Sequence, residues 1–79
     1  MTAQIFLKNP LYKGRYGGQR DRELKEPVVE IHGRSEHRDG GVEVQVEALF
    51  DVKGKPVDAP FERLFLPMGK IDYIVIVEA

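Results

Sequence analysis

The chain has 79 residues, of which 42% are hydrophobic and 32% are charged, and its formal net charge is −1. This length and composition predict one small globular domain with a thin core, spanning residues 1–79. The lack of cysteine excludes disulfides and thiolate chemistry. No apolar run is long enough for a transmembrane helix, and the N-terminus lacks a signal-peptide pattern, so we expect no membrane partner and a cytoplasmic location.

The N-terminal third combines a short apolar run with a basic segment. Residues 3–7 predict a first strand, which Asn9 and Pro10 end. Residues 8–25 then carry a net charge of +4, against −5 for the other 61 residues. Glycines favour a loop over about residues 8–26, with one short helical turn over residues 21–26 as an option. Such a loop is either a surface for an anionic partner or a solvated segment that pairs with the acidic body.

The middle of the chain has the clearest strand pattern. Apolar and polar residues alternate in VVEIHGR, residues 28–34, and again in VEVQVEALFD, residues 42–51. The segment SEHRDGG between them supplies turn residues, so the two runs predict an antiparallel hairpin. In this alternation Leu49 points to the solvent face, between Glu47 and Asp51.

The C-terminal third predicts two more strands. A loop, VKGKPVDAP, precedes Phe61–Leu66, where the apolar spacing fits a helix but the prolines at 60 and 67 favour a strand. A sharp turn follows at Pro67-Met68-Gly69. The last run, IDYIVIVEA, is apolar on both faces at its centre. Such a strand is either covered on both sides within the monomer or contacts another chain.

These elements predict an all-β fold, a small, strongly bent, five-stranded antiparallel barrel. The segment FERLFLPMGKIDYIVI resembles the closing strand–turn–strand of the Sm-like fold, within the broader SH3-like group, with Gly69 near the family's turn glycine. RNA-binding members carry an Asp and an Asn around the third strand and a basic residue before that glycine. Here the third strand lacks that pattern and Met68 precedes Gly69, so the resemblance does not imply a uridine pocket. Within it, the phrase LPMGKIDYI is similar to the closing segment of Sm-like bacterial adaptor proteins, which bind peptides and deliver substrates to a protease.

Enzymatic chemistry is not expected, and neither a cofactor nor a metal is. His32 and His37 have carboxylates near them in sequence, but the predicted strand and turn do not bring them together. Ser35 lies beside His37 in sequence, which does not make the fold-defined geometry of a catalytic triad. Binding is therefore the favoured class of function.

Two kinds of partner fit the sequence. The favoured partner is protein: a non-enzymatic interaction or adaptor module that forms homo-oligomers or binds a peptide, with an interface at Leu49, Ile74 and Ile76. The alternative is single-stranded RNA, because aromatic rings can stack on bases while cations follow the phosphates. That site would comprise Tyr12, Lys13, Arg15, Tyr16, Arg20 and Arg22.

Overall fold

The computed structural model describes residues 2–16 and 23–77, which form antiparallel β-structure. In chain order the strands are β1 (Thr2–Leu11), β2 (Gly14–Arg15), β3 (Glu23–Leu24), β4 (Val28–Arg38), β5 (Gly41–Phe50), β6 (Pro56–Val57), β7 (Arg63–Pro67) and β8 (Ile71–Val77). One 3₁₀ turn, Met68–Lys70, connects β7 to β8. The predicted all-β class is confirmed, as is the choice of strand over helix after Pro60. No helix in these residues is long and apolar enough to cross a membrane.

Six strands belong to one sheet with the order β6-β5-β4-β1-β8, and β7 also pairs with β5. β7 pairs with the first half of β5, and β6 pairs with its last two residues. β2 and β3 form a separate small hairpin. Within the described residues no ladder joins β7 to β8, so the sheet is not a closed barrel there and the barrel stays a prediction. β8 pairs only with β1 in this part of the chain; we call its other side the free edge.

A bulge in β5 changes which side chains face the core. Gly33 lies opposite Val46, but the preceding residue of β4 lies opposite Ala48, so Glu47 is an extra residue in β5. A bulge of this kind shifts the two-residue alternation of side chains by one position. Leu49 is therefore fully buried. The prediction that Leu49 faces solvent and contributes to an interface is wrong.

Two strands are longer than the sequence predicts. β1 continues to Leu11, past the expected end at Pro10. The pairing of β1 with β4 is irregular between Phe6 and Leu11, and this irregularity accommodates a proline that has no N–H to donate. β4 continues to Arg38, so the hairpin turn is only Asp39-Gly40. The optional helical turn over residues 21–26 falls partly outside the described residues, at 21 and 22. Within the described part, Glu23–Leu24 is a strand.

The core is small and apolar. Its buried side chains come from the inner face of the large sheet and from the β2–β3 hairpin, and they are Ala3, Ile5, Leu7, Leu11, Leu24, Val28, Ile31, Val42, Val44, Leu49, Leu66 and Ile71. Among the described residues no polar or charged side chain is buried. The fold therefore depends on apolar packing, and chemistry-bearing groups lie at its surface.

Candidate protein-binding site

Strand β8 concentrates the exposed apolar surface of the molecule. Eight large apolar side chains are exposed in residues 2–16 and 23–77, and half of them belong to this one strand: Tyr73, Val75, Ile76 and Val77. Ile76 is 57% exposed although it belongs to an apolar strand of a thin-cored domain. Exposed apolar side chains concentrated on one element in this way are typical of interaction sites in soluble proteins.

Both faces of β8 are apolar because of its register with β1. Ile74 lies opposite Ile5, so the isoleucines at 74 and 76 project from the inner face of the sheet. On the outer face Tyr73 lies opposite Phe6, and the two rings stack with their centroids 4.6 Å apart. Val75 and Val77 follow on that face. The strand thus resembles a central strand in composition but occupies an edge position.

The backbone groups on the free edge can be assigned from the ladders. Successive residues of an antiparallel strand direct their N–H and C=O groups to opposite sides. The Val46 N–H donates to the Glu62 C=O (2.8 Å), and the Met68 N–H donates to the Gly40 C=O (3.1 Å). Even-numbered residues of this part of β5 therefore face β7. The same alternation can be followed from β5 to β4, from β4 to β1 and from β1 to β8 through their pairings. It directs the backbone groups of the odd-numbered residues of β8 toward β1. Asp72 is an extra residue at the register shift between Phe6 and Leu7, so this alternation holds for residues 73–77. Over these residues the free edge presents the backbone groups of Ile74 and Ile76.

A cleft of about 420 Å³ lies on the inner side of β8. Val42, Ile74 and Ile76 supply its apolar lining, and residues 35–38 of β4 supply its polar rim. On that rim Arg38 and Glu36 form an ion pair (2.6 Å). The cleft has room for an apolar side chain of a partner strand, which would contact the apolar lining and be surrounded by the polar rim.

The structure brings together two of the three residues predicted for the interface. Ile74 is half-buried and Ile76 is exposed, and both line the cleft. Leu49 lies in the core instead, as described above. The sequence signal for β8 was its apolar character on both faces, but the position of the strand at a sheet edge depends on pairing between distant segments.

The predicted RNA site is only partly assembled. Tyr12 is 78% exposed, and the Lys70 Nζ lies 5.7 Å from the centre of its ring. Lys13 and Arg15 are also exposed. Arg20 and Arg22 lie outside the described residues. Tyr12 is thus an exposed aromatic ring with a cation near its face.

The Tyr16 side chain packs within the fold and is not exposed for stacking on a base. Its ring is half-buried and meets Phe61 edge-to-face, with centroids 5.3 Å apart. Its hydroxyl donates a hydrogen bond to the Tyr12 carbonyl. Burial raises the pKa of the Tyr16 hydroxyl. These contacts tie the β2–β3 hairpin to the loop before β7 and remove one of the two predicted stacking platforms.

One cluster of charged side chains is paired across strands β4, β5 and β7. Glu43 on β5 accepts hydrogen bonds from Arg63 on β7 and from Arg38 on β4 (3.3 Å from its Nε). The bond from Arg63 is the main cause that lowers the pKa of the Glu43 carboxyl. Such a cluster joins three strands on the outer face and leaves the carboxylate engaged. It has the arrangement of a structural ion-pair network.

The histidines occupy different places. His32 is paired with Glu30 and lies against the Phe50 ring (centroids 4.6 Å apart), whereas His37 is on the rim of the cleft. No group of three or more His, Asp or Glu side chains able to hold a metal ion occurs among the residues that the structure describes.

Comparison of the chain with protein-family models, with curated proteins and with solved structures finds no match.

Proposed function

We propose that this protein is a non-enzymatic binding module that self-associates and takes up an additional β-strand at the free edge of β8. One observation carries the proposal: β8 combines a free backbone edge with apolar side chains on both faces. Edge strands are normally protected by charges, prolines or short length. In the seven residues of β8 there is no proline and one charged residue, Asp72. Strand addition supplies partners for the backbone groups and covers the side chains at the same time.

The apolar surface at this edge is comparable in free energy to the cost of association. Fully burying a large apolar side chain stabilises by about 1.5–3 kcal/mol, so covering four roughly half-exposed side chains contributes roughly 3–6 kcal/mol per copy. Association costs an estimated 4–15 kcal/mol in lost freedom. Two copies that cover each other reach the lower part of that range before backbone hydrogen bonds are added. Self-association through β8 should therefore depend on protein concentration.

The closing part of the chain supports the finer proposal of a small Sm-like or SH3-like barrel. β7, the 3₁₀ turn and β8 follow each other in the order that the resemblance implies. The gap in the sheet lies between β7 and β8, so the side of the sheet that a barrel would close is the side that exposes β8. A peptide-binding adaptor and a self-associating module both use such an edge.

Light scattering over a concentration series tests the proposal. We expect the mass of the wild-type protein to rise above that of a 9.0 kDa monomer as concentration increases. Ile76→Lys places a charge on the inner face of β8 and should keep the protein monomeric, since a lysine at this exposed position can extend to solvent in the monomer but not under an added strand.

The matched control is Val52→Lys, which adds the same charge at a residue 68% exposed in the turn after β5. It should associate like the wild-type protein. Thermal unfolding of both variants shows whether they are folded. A folded Ile76→Lys variant with wild-type mass at every concentration would contradict the proposal.

Single-stranded RNA binding is the second candidate, and the exposed Tyr12 ring beside Lys70 is the observation that favours it. The same scattering experiment, run with a short mixed-sequence RNA at low and moderate salt, tests it. RNA bound through Tyr12 and its neighbouring cations should add mass at low salt and lose it as salt rises. Tyr12→Ala should weaken that binding, with Phe65→Ala on β7 as the control, since this exposed aromatic lies outside both candidate sites. A mass that does not change when RNA is added would contradict RNA binding, and protein binding would be the remaining proposal.

A further inference from the structure

We infer that the outer face of β4, β5 and β7 binds a carboxylate group between the guanidinium groups of Arg34 and Arg63, above the side-chain amide of Gln45. This site does not involve β8 and goes beyond the proposed function. Three observations carry the inference: the register that places these side chains in one row, the ion pairs that occupy the neighbouring glutamates, and a polar cleft with one excess positive charge.

The strand register places the three side chains side by side. Arg34 lies opposite Gln45 in the ladder of β4 with β5, and Gln45 lies opposite Arg63 in the ladder of β5 with β7. Residues directly opposite each other project from the same face of a sheet. This is the outer face, because the next residue of β5, Val44, is buried in the core. Neighbouring strands are about 4.8 Å apart, so the two arginines are about 10 Å apart at the backbone and their long side chains can reach one group above Gln45.

The two glutamates beside this row already have arginine partners. Glu36 lies directly opposite Glu43, and two like charges in that position repel each other. Arg38 compensates for this repulsion, because it pairs with Glu36 (2.6 Å) and with one oxygen of Glu43 (3.3 Å). Arg63 pairs with the other oxygen of Glu43. Two arginines therefore balance the charges of the two carboxylates.

The excess positive charge belongs to Arg34. This exposed side chain takes part in none of the ion pairs formed within residues 2–16 and 23–77. It lines a cleft of about 250 Å³, together with both glutamates, Ser35, Arg38, Gln45 and Arg63. Every lining residue is polar or charged, and three arginines against two glutamates leave a net charge of +1. The cleft is therefore suited to a small anion and not to an apolar side chain.

A carboxylate matches this cleft in charge and in shape. Its single negative charge balances the excess positive charge, and its two oxygens accept parallel N–H bonds from one guanidinium group. Arg34 can donate that pair of bonds, and the Gln45 amide can donate one more. Arg63 also has N–H groups beyond the one that it donates to Glu43. A phosphate dianion would add a second negative charge beside the glutamates. The site therefore takes a carboxylate, on the C-terminus of a peptide or on a free carboxylic acid.

An NMR titration that follows the backbone amides and the Gln45 side-chain amide tests the site. The probe is N-acetyl-trialanine with a free C-terminal carboxylate, and the matched probe is its C-terminal amide, both at constant ionic strength. The carboxylate should shift the signals of Arg34, Gln45 and Arg63 saturably, and the amide should not. Sodium acetate distinguishes the two sources: binding as tight as that of the peptide indicates a free carboxylic acid, whereas weaker binding indicates a peptide C-terminus.

Arg34→Gln is the test variant, and Lys53→Gln is its matched control. Hydrogen bonds to a charged group are among the stronger ones, so Arg34→Gln should weaken binding of the carboxylate probe at least about tenfold. Lys53→Gln removes the same charge from an exposed residue of the turn after β5, outside the cleft, and should bind like the wild-type protein. Thermal unfolding shows that both variants are folded.

Four results would overturn the inference. The first is the absence of saturable shifts with the carboxylate probe, and the second is equal shifts with the amide probe. The third is an Arg34→Gln variant that is folded and keeps wild-type affinity. The fourth is tighter binding of inorganic phosphate than of the carboxylate probe, which would contradict the match in charge.

Discussion

Replacing Leu49 by alanine tests the bulged register of β5 most sharply. Leu49 is fully buried in the core, although simple alternation along the strand places it at the surface. Leucine-to-alanine changes in a core cost about 2–5 kcal/mol, from lost apolar transfer and from the cavity left behind. A domain of this length has about 4–12 kcal/mol of stability, at roughly 0.05–0.15 kcal/mol per residue. Leu49→Ala should therefore remove a large share of the total.

Urea unfolding followed by circular dichroism measures this loss. With a slope of about 1 kcal/mol per molar urea for a small domain, we expect the midpoint to fall by about 2 M or more. Glu47→Ala is the control, since the exposed extra residue of the bulge should change stability by at most about 0.5 kcal/mol. Both are compared at one low protein concentration, because association also stabilises. A Leu49→Ala midpoint equal to that of the wild-type protein would refute the bulge as the reason for its burial.

Two further predictions concern Gly33 and Glu43. A Cβ on Gly33 would overlap the Gln45 carbonyl oxygen, so Gly33→Ala should destabilise the fold by about 1–3 kcal/mol in urea unfolding. Gly69 has open space around it, so Gly69→Ala is the control and should leave the stability unchanged. Equal unfolding midpoints for the two variants would contradict this prediction. Arg63→Met should raise the pKa of the Glu43 carboxyl, measured by NMR titration, because the bond from Arg63 is the main cause that lowers it. A carboxyl whose pKa is lower in the folded than in the unfolded state stabilises the fold at pH values above its unfolded-state pKa. This stabilisation is lost as the pH falls through the folded-state pKa. The variant should thus lose less stability between neutral and acidic pH than the wild-type protein, and an unchanged Glu43 pKa would contradict the assignment.

The strands were predictable where local pattern decides them. Alternation over residues 42–51 and the two prolines that bracket residues 61–66 are local signals, and β5 and β7 form there. The β-branched, apolar run at the C-terminal end also predicted a strand, and β8 forms there. These features follow from which side chains fit a pleated, half-buried strand.

The burial of Leu49 could not be predicted because a bulge is a property of two strands. Nothing in the sequence around Glu47 marks it as an extra residue, and its place follows from how Gly33 approaches the backbone of β5. The extension of β1 to Leu11 has the same origin, since its irregular pairing accommodates Pro10. In both cases a distant partner strand overrides the local pattern.

Two residues of the candidate site were identified from the sequence, but the geometry of the site was not. Ile74 and Ile76 were identified from composition, whereas the free edge and the cleft beside it depend on the order of strands in the sheet. For the basic segment, the sequence did not reveal that Tyr16 packs against Phe61. Aromatic residues among cations can serve either packing or stacking, and only tertiary contacts separate the two roles.

Residue-resolved hydrogen exchange of the β8 amides, at low and at high protein concentration, shows whether copies of the protein associate through the free edge of β8. At low concentration the amides of Ile74 and Ile76 should exchange rapidly at the free edge, while those of Tyr73 and Val75 are protected by their bonds to β1. At high concentration an added strand should slow exchange at Ile74 and Ile76 and leave Tyr73 and Val75 little changed. Exchange at Ile74 and Ile76 that stays fast while the mass of the protein rises would show that the copies meet elsewhere and would contradict association through β8.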